Sequence, residues 1–226
     1  MLDKEQLRRN LDNVIWNIEK ARITVSEHHI VKLVTVGKYT DSANIETLYS
    51  LGQRAFGENQ VQQLEERSSL LEELPLEWHF IGTLQKNKIN KLIGIRPFLM
   101  QSIDSIDLAL ALNERLKHKE SSMNCLLQIN SAKEESKSGV STEEAIDIYQ
   151  EIRERCQHIH LKGVMSIGAH TDDQEIIKRS FETTHKLYEK LENDGAEICS
   201  MGMSGDYEMA ISCGSNLIRV GSALFK

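Results

Sequence analysis

The sequence contains no apolar stretch that approaches the length of a membrane span. Its N-terminus lacks the continuous apolar core and the small-residue cleavage site of a signal peptide. It also has no cluster of Lys and Arg, and its net charge is −7, so a nucleic-acid surface is not expected. These absences predict a cytoplasmic protein that binds neither membranes nor nucleic acid.

Proline is scarce, since only Pro75 and Pro97 occur, and no Pro-, Gly- or Ser-rich segment divides the chain. Linkers between domains usually have such compositions. We therefore expect residues 1–226 to form a single domain, and 226 residues suffice for one large α/β domain.

The four cysteines have neither C-x-x-C spacing nor the zinc-ligand spacing to histidines. Three lie in or beside apolar runs and are expected to be reduced core residues: Cys125, Cys199 and Cys213. Two histidine pairs, His28-His29 and His158-x-His160, do not complete a ligand set. No metal site is expected.

Apolar runs rich in β-branched residues alternate with helical patterns along the chain. A first amphipathic helix is predicted from apolar residues at helical spacing: Leu7, Leu11, Val14, Ile15 and Ile18. Strands are predicted at 32–37, 54–59, 77–82, 98–103, 123–130, 159–168, 196–203 and 216–225. Helices are predicted between them, with Asp41 or Ser42 capping the first and Ser141 or Thr142 beginning a capping box with Glu144.

Eight alternating units predict a parallel sheet with right-handed crossovers. They fit a compact (β/α)8 barrel, or TIM barrel, preceded by an extra N-terminal helix. A doubly wound open sheet is the alternative, but it would normally have fewer strands and a Gly-rich turn after the first. The segment "GKYTDSAN" that follows the first predicted strand has no G-x-G-x-x-G pattern.

In such barrels the functional site lies at the carboxyl ends of the strands. The first predicted strand ends at Lys38, and the last two end in "SMGMSGD" and "RVGSALF". The small residues of these two loops can present backbone N–H groups to a phosphate. Because a barrel closes its last strand onto its first, a lysine and a phosphate cradle become neighbours. Pyridoxal 5′-phosphate (PLP) has an aldehyde for the amine and a phosphate for the cradle, and Arg219 could reach its ring.

Other interpretations remain open on these features alone. A lone lysine at a strand end, such as Lys38, is more often a solvated charge, and Arg219 is also consistent with a salt-bridge partner inside the barrel. A class I aldolase would also use a lysine, forming its imine with a keto-sugar phosphate instead of PLP.

Several stretches, in this order and spacing, resemble the PLP-binding homeostasis protein family over residues 30 to 225. They are "VTVGKY", "FGENQVQ", "WHFIGTLQKNK", "SIDS", "LLQIN", "KEESKSG", "LKGVMSIG", "SMGMSGDYEMAI" and "IRVGSALF". Two residues depart from the family pattern: Thr83 stands where His is usual, and Gly37 stands where Ser is more frequent.

The resemblance implies a fold-type III PLP-binding barrel like the amino-terminal domain of bacterial alanine racemase. It implies PLP bound as an imine to Lys38. It also implies a non-catalytic protein of vitamin B6 homeostasis that can deliver PLP to apo-enzymes. It assigns the phosphate to Ser204, Gly221 and Ser222 and the pyridine nitrogen to Arg219. The ring pocket would include Asn59 and Met165, and the rim would include Lys137, Gly139 and Met201.

The main functional alternative is a PLP-dependent amino-acid racemase, which needs a second acid/base opposite Lys38. In two-domain racemases a tyrosine from a second domain supplies it. The sequence ends at Lys226, directly after the last barrel element, so no second domain is expected. Tyr39 and Tyr207 are the tyrosines near the predicted rim. We therefore expect a monomeric PLP carrier without catalytic residues.

Overall fold

A computed structural model describes residues 2–38, 40–134 and 137–226, and within them eight parallel strands close into a barrel in sequence order. The strands are β1 (Lys32–Val36), β2 (Ala55–Glu58), β3 (Glu77–Phe80), β4 (Leu99–Ile103), β5 (Met123–Ile129), β6 (Ile159–Ser166), β7 (Ile198–Ser200) and β8 (Leu217–Val220). The ring is closed by β1 and β8, whose register pairs Val34 with Arg219 and Thr35 with Val220. The predicted barrel is confirmed, and the open sheet is excluded.

Helices surround the barrel and join its strands. They are α1 (Lys4–Val25), α2 (Ser42–Ser50), α3 (Val61–Leu70), α4 (Ile89–Ile95), α5 (Ile106–His118), α6 (Ala145–Arg155), α7 (Gln174–Leu191) and α8 (Tyr207–Ser212). Short 3₁₀ turns, Lys86–Lys88 and Glu192–Asp194, precede α4 and follow α7. Within the part of the chain that the structure describes, no helix has both the length and the apolar character that crossing a membrane requires.

The barrel has two apolar cores because alternate strand residues point to opposite faces. The inner cluster is small and consists of Val34, Ala55, Leu99, Leu126, Met165 and Leu217. A much larger cluster fills the shell between the strands and the helices and includes Trp78 and Phe80 of β3. His79 lies between those two aromatic residues in sequence and is fully buried. Its side chain therefore belongs to the barrel interior.

The extra helix α1 begins at Asp3, whose carboxylate accepts the Gln6 N–H at 2.8 Å. It packs on the shell through one apolar stripe: Leu7, Leu11, Val14, Ile18 and Ala21. Ile15 is 45% exposed, so it lies outside the stripe that its spacing predicts. The Asn10 amide donates to the Leu224 carbonyl at 2.9 Å, which ties α1 to the end of the chain.

The predicted helix starts are largely confirmed. Asp41 caps α2, since its carboxylate accepts the Asn44 N–H at 2.8 Å. Ser141 accepts the Glu144 N–H at 3.2 Å, although α6 itself begins only at Ala145. The largest difference is the seventh strand, predicted over 196–203 and observed over Ile198–Ser200. Beyond it, Gly202 has a φ of 93°, which extended strand backbone does not have.

The cysteines are free thiols, and one detail of their placement differs from the expectation. Cys125 and Cys199 are buried as predicted, but Cys156 is also fully buried, whereas Cys213 is only partly buried. The cause is position in the helices: Cys156 ends α6 against the shell, and Cys213 follows the short helix α8.

Candidate functional site

Lys38 lies directly beyond β1 at the carboxyl end of the barrel, and its side chain is exposed. The preceding residue, Gly37, is buried and donates its N–H to the Gly57 carbonyl at 3.0 Å. A Cβ at Gly37 would lie 2.3 Å from Glu58 Oε1 and 2.6 Å from an Arg67 nitrogen. The glycine therefore leaves room for the ends of the Glu58 and Arg67 side chains directly before Lys38.

A buried ion pair lies beneath the Lys38 loop. The Arg67 guanidinium on α3 pairs with Glu58, whose side chain is fully buried, while that of Arg67 is 12% exposed. Arg67 also donates to the Gly37 carbonyl at 2.7 Å and to the Thr40 carbonyl. These two carbonyls bracket Lys38, so one guanidinium clamps both sides of the loop.

Glu58 itself faces the shell and not the rim. Burial raises the pKa of the Glu58 carboxyl, and the charge and hydrogen bond of Arg67 oppose that increase. In the sequence, Glu58 falls within the second predicted strand, 54–59, and no pattern identifies Arg67 as a site residue. The alternation of "AFGE" could have shown that Glu58 shares the outward face with Phe56, but no sequence signal identifies its partner on α3.

The loops after β7 and β8 meet at a single hydroxyl. Ser204 Oγ accepts the N–H of Gly221 at 3.1 Å and the N–H of Ala223 at 3.3 Å. Two backbone donors of the β8 loop thus converge on one oxygen position. Gly221 is also close to β1, because a Cβ there would lie 3.1 Å from the Val36 carbonyl oxygen. Ser222 is exposed beside them.

Asp206 shapes the first of these loops. Its carboxylate accepts the Met203 N–H at 2.6 Å and so closes the turn that carries Ser204. Burial raises the pKa of the Asp206 carboxyl, and the Met203 N–H and the charge of Arg219 oppose the increase. In the sequence, Asp206 is the last residue of the loop stretch "SMGMSGD", and no pattern there indicates its role.

Arg219 lies inside the barrel, below the loops that follow β7 and β8, and it is only 4% exposed. One terminal nitrogen donates to Ser200 Oγ and the other donates to the Ser166 carbonyl at 2.8 Å. Burial lowers the pKa of Arg219 to about 10, while the charge of Asp206 acts to raise it. The guanidinium is still a cation at neutral pH, and its plane is fixed from β6 and β7.

The two residues expected in the ring pocket come from β6 and from the end of β2. Met165 is buried in the inner cluster together with Val34 of β1. Asn59 follows β2, and its side-chain oxygen is buried without a hydrogen-bond partner among the described residues. A Cβ at Gly82 would lie 1.9 Å from the Asn59 carbonyl oxygen, so the glycine allows the β3 loop to pass beside Asn59.

The three residues expected at the rim are not equivalent. Lys137 is engaged already, since its amine donates to the Gly168 carbonyl at 2.6 Å and to Glu134 at 2.9 Å. Gly139 has a φ of 128° and packs on the end of β5, where a Cβ would lie 2.8 Å from Asn130 N. Met201 lies in the shell core and is fully buried, because alternation beyond Ser200 directs it outward. Its position therefore differs from the expected one.

A cavity of about 740 Å³ opens at the same end of the barrel, beside the loops that follow β6 and β7. Its lining includes Lys137, Gly168, His170, Met203 and Asp206. The histidine pairs singled out in the sequence lie elsewhere: His29 contacts the Ser215 carbonyl at 2.9 Å, and His158 contacts the Ser121 carbonyl at 3.1 Å. Within residues 2–38, 40–134 and 137–226, no group of three or more potential ligands is arranged for a metal.

Comparison with known proteins agrees with this geometry. The family model described as the alanine racemase N-terminal domain matches residues 9–226. A Helicobacter pylori pyridoxal phosphate homeostasis protein is 53% identical, over 97% of this chain and 98% of its own. A human protein of the same name is 36% identical, over 86% of this chain and 75% of its own.

Among solved structures, PipY of Synechococcus elongatus with PLP bound has a TM-score of 0.78. It is 28% identical, and the match covers 92% of this chain and all of that one. The likeness extends over the whole barrel and not only over the strand ends. The chain belongs to the pyridoxal phosphate homeostasis protein family, within the alanine racemase N-terminal domain fold.

Proposed function

We propose that the chain binds PLP through Lys38 and the loops after β7 and β8 and serves in the homeostasis of this cofactor. One observation carries the proposal. An exposed lysine at the end of β1 lies on the strand that pairs with β8, where two backbone N–H groups converge on one oxygen position. A phosphate oxygen is a better acceptor for two converging donors than a serine hydroxyl.

The residues present fit PLP. The Lys38 amine is the point of covalent attachment, and bound PLP contributes an aldehyde that reacts reversibly with amines. Ser204, Gly221 and Ser222 hold the phosphate. Arg219, as a fixed cation, faces the pyridine nitrogen and keeps it unprotonated. The unpartnered buried oxygen of Asn59 supports a polar ligand at this place, and Met165 provides an apolar floor.

We propose a carrier and not a catalyst. Racemisation needs a second acid/base on the far side of the ring from Lys38. Tyr207 does not suit that role, because its hydroxyl accepts a hydrogen bond from Asn17 of α1 at 3.1 Å and the residue is buried in the shell. Tyr39 lies outside the described residues. The Arg219 cation further weakens PLP as an electron sink by disfavouring protonation of the ring nitrogen.

The family name of the relatives supports a role in PLP supply, in which the chain buffers the reactive aldehyde and delivers it to apo-enzymes. Lys137 and Gly139, in the loop beside the large cavity, belong to the path by which PLP enters or leaves. In this proposal, residues 1–226 form a single domain that acts as a monomer in the cytoplasm. Its partners are PLP and PLP-dependent apo-enzymes, and it binds neither nucleic acid nor membranes.

The test is a titration of the purified chain with PLP, followed by its visible absorption. Wild-type protein should bind PLP and develop an imine band, and Lys38→Ala should bind it more weakly and without that band. Lys86→Ala is a matched control, because Lys86 is an exposed lysine of the β3–α4 loop that pairs with Asp107. A wild-type protein that PLP leaves uncoloured contradicts the proposal.

A PLP-dependent amino-acid racemase is the second candidate, because the fold is that of the alanine racemase N-terminal domain. Chiral chromatography of common amino acids after incubation with the loaded protein separates the two. The carrier predicts no racemisation. Robust turnover that Lys38→Ala abolishes would establish the enzyme instead, and trapping of a keto-sugar phosphate in place of PLP would indicate an aldolase.

A further inference from the structure

A continuous chain of polar side chains crosses the barrel interior and ends at Arg219. Arg219 donates to Ser200 Oγ, and Ser200 donates to Gln101 Oε1 at 2.7 Å. Gln101 Nε2 lies 3.0 Å from His79 Nδ1, and His79 Nε2 lies 2.9 Å from Glu77 Oε1. The three central residues, Ser200, Gln101 and His79, are fully buried. These side chains therefore link β8 and β7 to β4 and β3 through the buried interior of the barrel.

The two ends of this chain dictate where every proton lies. Burial opposes ionisation of Glu77, but hydrogen bonds from His79 and Lys32 leave its pKa lowered, so it is a carboxylate that can only accept. His79 must then donate from Nε2 and accept at Nδ1. Gln101 must present its NH₂ to His79 and its oxygen to Ser200. At the other end, the guanidinium can only donate.

We propose that this series of hydrogen bonds, which we call the relay, fixes the plane of the Arg219 guanidinium. His79 is the positioning residue, because the nitrogen that carries its proton sets the direction of every hydrogen bond in the relay. All the hydrogen bonds run one way, from the Arg219 cation to the Glu77 carboxylate, and bonds ordered in this way strengthen one another. The role assigned to His79 rests on the proposed function, in which Arg219 faces the pyridine nitrogen of PLP.

Reversal of any link would disturb Arg219. If His79 carried its proton on Nδ1, Gln101 would turn its NH₂ towards Ser200. Two donors would then point at one hydroxyl, and the buried Ser200 proton would lose its acceptor, which is costly for a fully buried group. The Glu77 carboxylate on the same strand opposes this reversal, because it needs a donor at His79 Nε2. The other groups that face His79 are Lys32 of β1, which pairs with Glu77, and the Phe98 ring before β4, 5.6 Å away.

The first test needs no PLP. Nitrogen NMR of the full ¹⁵N-histidine-labelled chain should show His79 protonated on Nε2 only and neutral at pH ~6.5, the usual pKa of histidine, because burial lowers its pKa. Gln101→Glu should make the ring donate from both nitrogens and keep it charged at that pH. A wild-type proton on Nδ1, or a neutral ring in Gln101→Glu, would overturn the relay.

The second test compares two buried serines. Ser200→Ala interrupts the relay, whereas Ser102→Ala on β4 removes a buried hydroxyl that donates only to the Gly82 carbonyl at 2.6 Å. PLP titration should show about tenfold weaker binding for Ser200→Ala than for Ser102→Ala, since a hydrogen bond to a charged group is lost. Equal affinities would refute positioning by the relay. If wild-type protein binds no PLP while the NMR result holds, the proposed function fails and the proton order stands.

Discussion

Replacement of Arg67 by methionine tests how the Lys38 loop is held. The substitution removes the guanidinium that neutralises Glu58 and that binds the carbonyls of Gly37 and Thr40. Breaking a buried pair leaves a buried unpaired charge, which costs about 3–5 kcal/mol. For a chain of this size that corresponds to a melting temperature lower by roughly 6–20 °C. PLP affinity should fall as well, because both sides of the Lys38 loop lose their donor.

Two further variants isolate the cause, with urea unfolding as the assay. Arg153→Met breaks an exposed pair with Asp194 at 2.8 Å, with side chains 44% and 30% exposed, and should cost at most about 1 kcal/mol. Adding Glu58→Gln to Arg67→Met removes the stranded charge and should restore about 2 kcal/mol. If Arg67→Met costs no more than Arg153→Met, or if the double variant is no more stable than Arg67→Met, the clamp is refuted.

The same pair gives a pH dependence. The folded-state pKa of Glu58 is raised above its usual value, so the folded chain holds this proton more tightly than the unfolded chain. The contribution of Glu58 to stability is therefore largest at acidic pH and is lost as pH rises through the folded-state pKa. Without Arg67 this pKa rises further. The stability deficit of Arg67→Met should narrow as the pH falls, because Glu58 then becomes protonated, whereas adding Arg67→Met to Glu58→Gln should cost the same at every pH.

Three other outcomes are expected. Ser215→Ala should destabilise the chain by about 1–3 kcal/mol in urea unfolding. The buried Ser215 hydroxyl bridges β7 and β8 and accepts the Met201 N–H at 3.2 Å. An unchanged unfolding midpoint would refute this role of Ser215. Ser204→Ala should weaken PLP binding in a titration while the melting temperature falls only slightly, and equal affinity would remove Ser204 from the phosphate site. An aromatic disulfide reagent should modify only Cys213 in the folded protein, because the other three cysteines are buried. Those three should react only after unfolding. Rapid reaction of all four cysteines in the folded protein would contradict their burial.

The alternation of apolar runs and helical patterns was sufficient to predict the barrel and the strand ends that form its rim. Trp78 and Phe80 both lie in the shell, on the opposite face from His79, as period-two alternation within β3 requires. The pairing of side chains across the barrel was beyond sequence reasoning, because Gln101, Ser200 and Arg219 lie on three separate strands. Their contact depends on register and barrel closure, which no local pattern specifies.

The residues of the candidate site also differ in whether the sequence alone could identify them. Lys38 and the glycine and serine loops were identifiable because strand-end position and residue type carry their chemistry. Arg67 was missed because it lies on the exposed-looking helix pattern "VQQLEERSSL", where an arginine usually reaches solvent. Met201 was expected at the rim, but β7 ends earlier than its apolar run, and the side chain packs outward in the shell.

Reduction of the PLP-loaded protein with borohydride, followed by peptide mapping, tests the central proposal most directly. Borohydride makes the bond between PLP and its amine permanent, so the mass of the modified peptide identifies the attachment residue. The account predicts the pyridoxyl group on Lys38 alone, in the peptide that follows β1. A modified lysine elsewhere, such as Lys137, with Lys38 unmodified would contradict it.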